Sequence, residues 1–178
     1  MKIVKGILLG IIGLIALLLI VALFTPKQYT VSVSETINRP KAEVMAYVTI
    51  LANQEQYSEW VKADPNLHPQ IIGTDGTVGA IQKWNSKEDN VGEGQQQIIA
   101  LSENRMDVNL DFIRPFEGHA KAANIFKAVS DNQTEITAEF YEHAKYPMNL
   151  MSYFIGRKMI EETQKKNLHN IKTILEQR

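Results

Sequence analysis

Nineteen consecutive residues, Gly6 to Phe24, carry neither a charge nor a polar side chain, and no other feature constrains the chain as strongly. An α-helix rises about 1.5 Å per residue, so a hydrocarbon core of roughly 30 Å takes about 20 apolar residues. Ile3 to Phe24 meets that length, with only Lys5 near its edge. A cleavable signal peptide has a shorter apolar stretch, about 7 to 15 residues, closed by small residues around the cut site. Val21-Ala22-Leu23-Phe24-Thr25-Pro26 offers no such pattern, which favours an uncleaved transmembrane helix. The expected organisation is a transmembrane anchor over residues 1–26, in contact with the membrane through residues 3–24, and one domain over residues 27–178. Lys2 and Lys5 precede the span, which favours an inside N-terminus and a domain on the extracytoplasmic side.

Beyond the span the balance of charge turns acidic. Of 19 basic residues, Lys2 and Lys5 lie before the run, whereas all 20 acidic ones lie after it, the first being Glu35. Nucleic acid is therefore not an expected partner, because binding it needs a phosphate-neutralising basic patch. The chain has no cysteine, which removes disulfides, thiol nucleophiles, iron–sulfur clusters and thiolate zinc sites. No two of His68, His119, His143 and His169 have the spacing that puts a pair of imidazoles on one face, so no metal and no other cofactor is expected. The serines lack a G-x-S-x-G setting, and Gly73-x-x-Gly76-x-x-Gly79 reads as a turn rather than a nucleotide loop.

The periodicities of the domain alternate between strand and helix. Tyr29 to Ile37 alternates apolar and polar at period two, a half-buried strand starting almost directly after the membrane. Pro40 then opens a short helix with Val44, Tyr47, Val48 and Leu51 at helical spacing, and Asn53 to Val61 reads as a second, ended by Asp64-Pro65. Turn residues next separate six strands: Pro69 to Ile72, Ile81 to Trp84, Gln95 to Leu101, Met106 to Ile113, Lys121 to Val129 and Thr134 to Tyr141. If the hairpin around Asp131-Asn132-Gln133 has odd length, Lys121, Lys127, Glu135 and Glu139 share the outer face. Ala122, Asn124, Phe126, Ile136, Ala138 and Phe140 then point inward. From Asn149 to Glu176 only Gly156 interrupts one long helix, whose stripe runs Leu150, Tyr153, Phe154, Gly156, Ile160, Asn167 and Ile171 and turns half polar midway.

This order, an α+β chain of one strand, two short helices, about six antiparallel strands and a long C-terminal helix, resembles the helix-grip fold of the START-like or SRPBCC superfamily. The resemblance covers roughly residues 28–176. Tyr57-Ser58-Glu59-Trp60 with Asp64-Pro65, Gly76-Thr77-Val78-Gly79 before Trp84, Val91-Gly92-Glu93-Gly94 before a strand, and Arg114-Pro115-Phe116 before the hairpin look like segments of its polyketide cyclase/dehydrase members. The resemblance implies a curved sheet of about six to seven strands around the last helix. It also implies an elongated cavity for apolar or amphipathic molecules, with enzymes a minority.

Ala120, Ala122, Ala123, Ala128 and Ala138 fit that geometry, being small where a dry core would use Leu or Ile. The expected lining is Trp60, Trp84, Phe112, Asn124, Phe126, Phe140, Met151, Phe154 and Asn167. Glu142 and Asn124 are the acid/base candidates, since a carboxylate desolvated in an apolar cavity gains proton affinity. The leading expectation is a non-catalytic, membrane-anchored binder of a lipid or other hydrophobic small molecule. A cyclase or dehydratase working in the same cavity and a membrane-tethered protein-interaction module are the alternatives.

Overall fold

The computed structural model describes residues 2–177. It begins with helix α1, Lys2–Phe24, whose residues from Ile3 onward are long and apolar enough to cross a membrane. Most of its large side chains are exposed, which distinguishes it from a buried core helix. Strand β1, Gln28–Ile37, follows at once, with Val31, Val33 and Ile37 buried, Ser32 and Ser34 exposed on the other face, and Glu35, on the inner parity, paired with Lys172 of the C-terminal helix at 2.9 Å. The period-two alternation read from the sequence is the two-faced pleat of this strand.

Helix α2 spans Lys41–Thr49, with Pro40 directly before it and Val44, Tyr47 and Val48 buried. The single helix expected over Asn53 to Val61 is instead a 3-10 turn, Leu51–Asn53, and two short helices, α3 (Gln54–Tyr57) and α4 (Glu59–Lys62). The break falls at Ser58, whose backbone is extended. Two side chains of the C-terminal helix take up the backbone groups freed there. Asn170 Nδ2 donates to Tyr57 O at 2.9 Å, and Glu59 N donates to Asn167 Oδ1 at 2.9 Å. Long-range hydrogen bonds thus replace the local ladder, which no local periodicity could announce.

Strands β2 (Gln70–Ile72), β3 (Ile81–Asn85), β4 (Glu93–Ser102), β5 (Arg105–Arg114), β6 (Gly118–Ser130) and β7 (Gln133–His143) complete a seven-stranded sheet in the order β1-β7-β6-β5-β4-β3-β2. Every pairing is antiparallel. The β6–β7 hairpin resolves the parity question: Ser130 pairs with Gln133 around a two-residue turn, which would put charge inward. A bulge between Ala128 and Ser130 adds the missing residue, and Ala122 then faces Phe140, Asn124 faces Ala138 and Phe126 faces Ile136.

The C-terminal helix runs as α5 (Asn149–Met151), a π-helical turn over Ser152–Gly156, and α6 (Arg157–Glu176). Leu168, Ile171 and Leu175 of α6 are buried against the sheet together with Ile37, Val44, Ile136 and Phe126. This packed core lies toward the β4–β5 and β6–β7 turns. Along β5 the inward residues open progressively away from it, from buried Met106 and Val108 to half-buried Leu110 and Phe112.

Helix α1 is bolted to the domain rather than strung from it. Asn149, 1% exposed, donates from Nδ2 to Ala22 O at 2.8 Å and to Thr25 O at 2.9 Å, satisfying carbonyls at the C-terminal end of α1. Ala22 is itself fully buried in this joint. Asn149→Leu strips both carbonyls of their donor, at a cost of about 1–3 kcal/mol for the buried groups. Trypsin cleavage after Lys27 is expected to accelerate severalfold in that variant, and an unchanged cleavage rate would show that the joint contributes nothing.

Candidate functional site

Between the sheet and the C-terminal helix lies a cavity of about 480 Å³. That volume falls within the range of small-molecule pockets, roughly 300 to 1,000 Å³. Its walls follow from the parity of the strands. β5 contributes Val108, Leu110 and Phe112, β6 and β7 contribute Ala122, Asn124, Ala138 and Phe140, and the helix contributes Ser152, Gly156, Ile160 and Asn167. Ala122, Ala123 and Ala138 border the space, Ala120 is buried outside its lining, and Ala128 is exposed.

Trp84 packs edge-on against Phe112, ring centroids 6.2 Å apart, and lies flat over its cross-strand partner Gly94. A Cβ on Gly94 would come within 2.5 Å of the indole, so the glycine is what lets Trp84 lie along the wall. At Gly92 a Cβ would meet Arg114 O at 2.0 Å, and its φ of 67° favours glycine in any case. Arg114 ties the β3–β4 loop down, its guanidinium reaching Glu93 at 3.1 Å, Asn85 at 2.7 Å and the Ser86 carbonyl at 3.0 Å.

Of the residues singled out from the sequence, Trp60, Trp84, Phe112, Asn124, Phe140, Asn167 and Glu142 border this cavity. Phe126, Met151 and Phe154 do not. Phe126 is 1% exposed and belongs to the packed core, because it sits on the half of β6 nearer the hairpin. Met151 and Phe154 are 57% and 63% exposed, on the far side of the helix from the sheet. Apolar residues surround this segment on every side, so hydrophobicity alone selects no face. The selection comes from Tyr29, whose hydroxyl donates to Ser152 O at 3.1 Å and lies 2.9 Å from Ser152 Oγ.

Two polar groupings in the wall escaped the sequence reading. One is a glutamine cluster on β3, β4 and α3. Gln96 Nε2 donates to Gln54 Oε1 and Gln82 Oε1, and Gln82 Nε2 donates to Leu51 O at 2.8 Å. Beside it the Tyr57 hydroxyl bonds to Gln54, and burial holds its pKa well above that of an ordinary tyrosine. The signal was there in principle: period two along Gln95-Gln96-Gln97-Ile98 places Gln96 on the same face as Ile98. The other is Tyr29 with Ser152, which join Glu142, the one member already singled out from the sequence. Desolvation raises the pKa of both Tyr29 and Glu142.

For Glu142 the sign is definite. Its folded-state pKa lies above the ordinary value of 4.5, so the native state binds the proton more tightly than the unfolded chain. Stability from this group is present below that ordinary value and declines as pH rises through the raised one. Glu142→Gln should therefore raise the melting temperature at pH 7 to 8 and leave it unchanged near pH 4. Equal shifts at both pH values would assign the effect to packing instead.

Among the described residues no group of three His, Asp or Glu side chains is arranged to hold a metal ion. His119 bonds Asp111 at 2.7 Å and His143 lies 3.3 Å from Gln28, both on the outer side of the sheet.

No family model matches the chain, and no curated protein matches it. Solved structures do. Norcoclaurine synthase from Thalictrum flavum, determined with dopamine and hydroxybenzaldehyde, is 12% identical with a TM-score of 0.63, over 88% of this chain and 91% of that one. Ara h 8.0201 is 14% identical with a TM-score of 0.60, over 85% and 99%. DynU16, encoded in the dynemicin biosynthetic locus, is 13% identical with a TM-score of 0.58, over 83% of this chain and 47% of that chain. At such identities the likeness carries the fold alone, and the chain has the helix-grip fold expected from its order of elements.

Proposed function

We propose that this protein is a membrane-anchored binder of an apolar or amphipathic small molecule of lipid-like character, held in the cavity between sheet and C-terminal helix. The observation that carries the reading is the cavity itself, about 480 Å³, walled by Trp84, Phe112, Phe140, Val108 and Leu110, with polar groups confined to a few places. A largely apolar pocket with few, placed polar groups favours a ligand with a long apolar body and one or two hydrogen-bonding functions. Gln96 and the Tyr29–Ser152–Glu142 grouping are the partners for those functions. Residues 1–26 serve as the anchor and residues 27–178 as the binding domain, supported by the length and exposure of α1. The positive charges before the span orient the domain to the extracytoplasmic side.

The test is organic extraction of the full chain purified in a small-micelle detergent, in parallel with a variant whose cavity is filled by Ala122→Trp. An apolar molecule near one per chain in the native protein, and depleted in the filled one, is the expected result. Equal contents would sink the reading. A second reading, acid/base catalysis on a hydrophobic substrate, draws support from the half-buried Glu142 with its raised pKa. Under it, Glu142→Gln abolishes turnover of a bound ligand without lowering its occupancy, with Asn124→Ala as the companion change.

A further inference from the structure

The strand register says which end of the cavity faces the anchor. β1 starts at Gln28, four residues after the last residue of α1, and Gln28 pairs with His143 at the end of β7. Following the sheet outward, Lys121 pairs with Tyr141, Phe112 with Gly118, Glu93 with Arg114 and Asn85 with Glu93. The β3–β4 and β5–β6 loops therefore emerge from the same edge of the sheet as the anchor. Asn90, Val91, Pro115 and Phe116 of these loops border the cavity. The packed core occupies the opposite end. The cavity thus reaches the loops at the α1 end of the sheet, and the packed core bounds its other end.

The start of the C-terminal helix is held at the same level. Asn149 clamps it to Ala22 O and Thr25 O, and the Tyr146 hydroxyl donates to Leu19 O at 3.4 Å. Leu19 lies five residues before the end of α1, about 7 Å along the helix axis at 1.5 Å per residue, so Tyr146 runs alongside the final turn and a half of the span. Tyrosine is common at that depth, where its ring meets hydrocarbon and its hydroxyl meets headgroups.

From this joint a row of large apolar side chains projects outward. Met151, Phe154, Ile155 and Met159 are 57%, 63%, 63% and 48% exposed, and Phe116 on the β5–β6 loop is 70% exposed. Met159 and Phe116 are also cavity-bordering residues. Exposed apolar surface on this scale marks an interaction site. Exposed Lys27, Lys145, Arg157 and Lys158 lie next to it in the chain, together with exposed Glu117 and Glu162, and the cationic members suit anionic lipid headgroups.

We propose that Phe116, Met151, Phe154, Ile155 and Met159 insert into the headgroup–acyl boundary of the bilayer that α1 crosses, so that the cavity mouth opens onto lipid and the ligand enters from the membrane. The inference rests on the reading of α1 as an anchor. The α1 joint is what directs this face to a bilayer rather than to another protein.

The chain has no cysteine, so single nitroxide labels can be placed without background. The full chain is reconstituted in phosphatidylcholine/phosphatidylglycerol vesicles with one label at a time from Met151→Cys, Ile155→Cys, Phe116→Cys, Leu14→Cys in the anchor, or Lys127→Cys at the far end of β6. Collision with oxygen, which concentrates in lipid, is compared with collision with a water-soluble nickel chelate. Labels at 151, 155 and 116 are expected to favour oxygen over nickel at least severalfold more than the label at 127, with the label at 14 deeper still. If 14 is deep while 151 and 155 behave as 127 does, the docking face is refuted and the anchor stands. Labels at 151 and 155 shielded from both reagents would mean that protein covers the face, which also refutes the proposal. A nickel-accessible label at 14 overturns anchor and docking together.

Discussion

Phe126→Ala is expected to lower the unfolding free energy by about 3–5 kcal/mol, the range for truncating a fully buried aromatic. Phe112→Ala, the same change two strand positions from the cavity mouth, should cost less than half as much. Phe126 is 1% exposed, stands across from Ile136 in the register and packs among the residues that meet α6. Removing its ring leaves a hole in a close-packed environment that cannot collapse. Phe112 is half-buried and one side of its ring faces the cavity, so fewer contacts are lost. Denaturant unfolding of the full chain in detergent, with a common m-value assumed only if observed, measures both. Equal losses would mean that the space beside Phe112 is filled in the folded protein, and the binding cavity would have to be abandoned.

Ala122→Trp carries the second large effect: loss of affinity for the extracted ligand of about tenfold or more, equivalent to about 1.4 kcal/mol per factor of ten, without loss of fold. Ala122 lies opposite Phe140 on the inner face and borders the cavity. An indole there fills vacant space instead of displacing packed neighbours, so the melting temperature should hold or rise. Lys127→Trp, on the outer face of the same strand, is the control and should leave affinity unchanged. A destabilised Ala122→Trp protein would mean the wall is packed, and an undiminished affinity would place the ligand elsewhere.

Much of this architecture is written locally. The six later strands fall between the Gly-, Asn- and Asp-containing turns, and the inward set from Ala122 to Phe140 follows from alternation once the hairpin register is given. That register itself was conditional: a two-residue turn and an odd offset coexist only because a bulge at Ala128–Ser130 supplies one residue. Cavity residues on strands, such as Phe112, Asn124 and Phe140, were legible because a pleat has two faces and one carries charge. Residues on the C-terminal helix were harder. Met151 and Phe154 are as apolar as any lining residue, yet they point away from the sheet.

The long apolar run, the strand alternation and the breaker-free C-terminal segment are properties of neighbouring residues, and they sufficed to name the elements and the fold they resemble. Position along the cavity is not such a property. Phe126 and Phe140 share a face and a chemistry, but one lies over the packed end and the other over the open end, a difference set by where α6 crosses the sheet. The break at Ser58 exists because Asn167 and Asn170, more than a hundred residues on, take its backbone hydrogen bonds. The fixed attitude of α1 exists because Asn149 reaches back to Ala22 and Thr25. These contacts join residues distant in the chain, and their partners are polar groups that burial leaves with one place to bond; that requirement arises only when the elements have met.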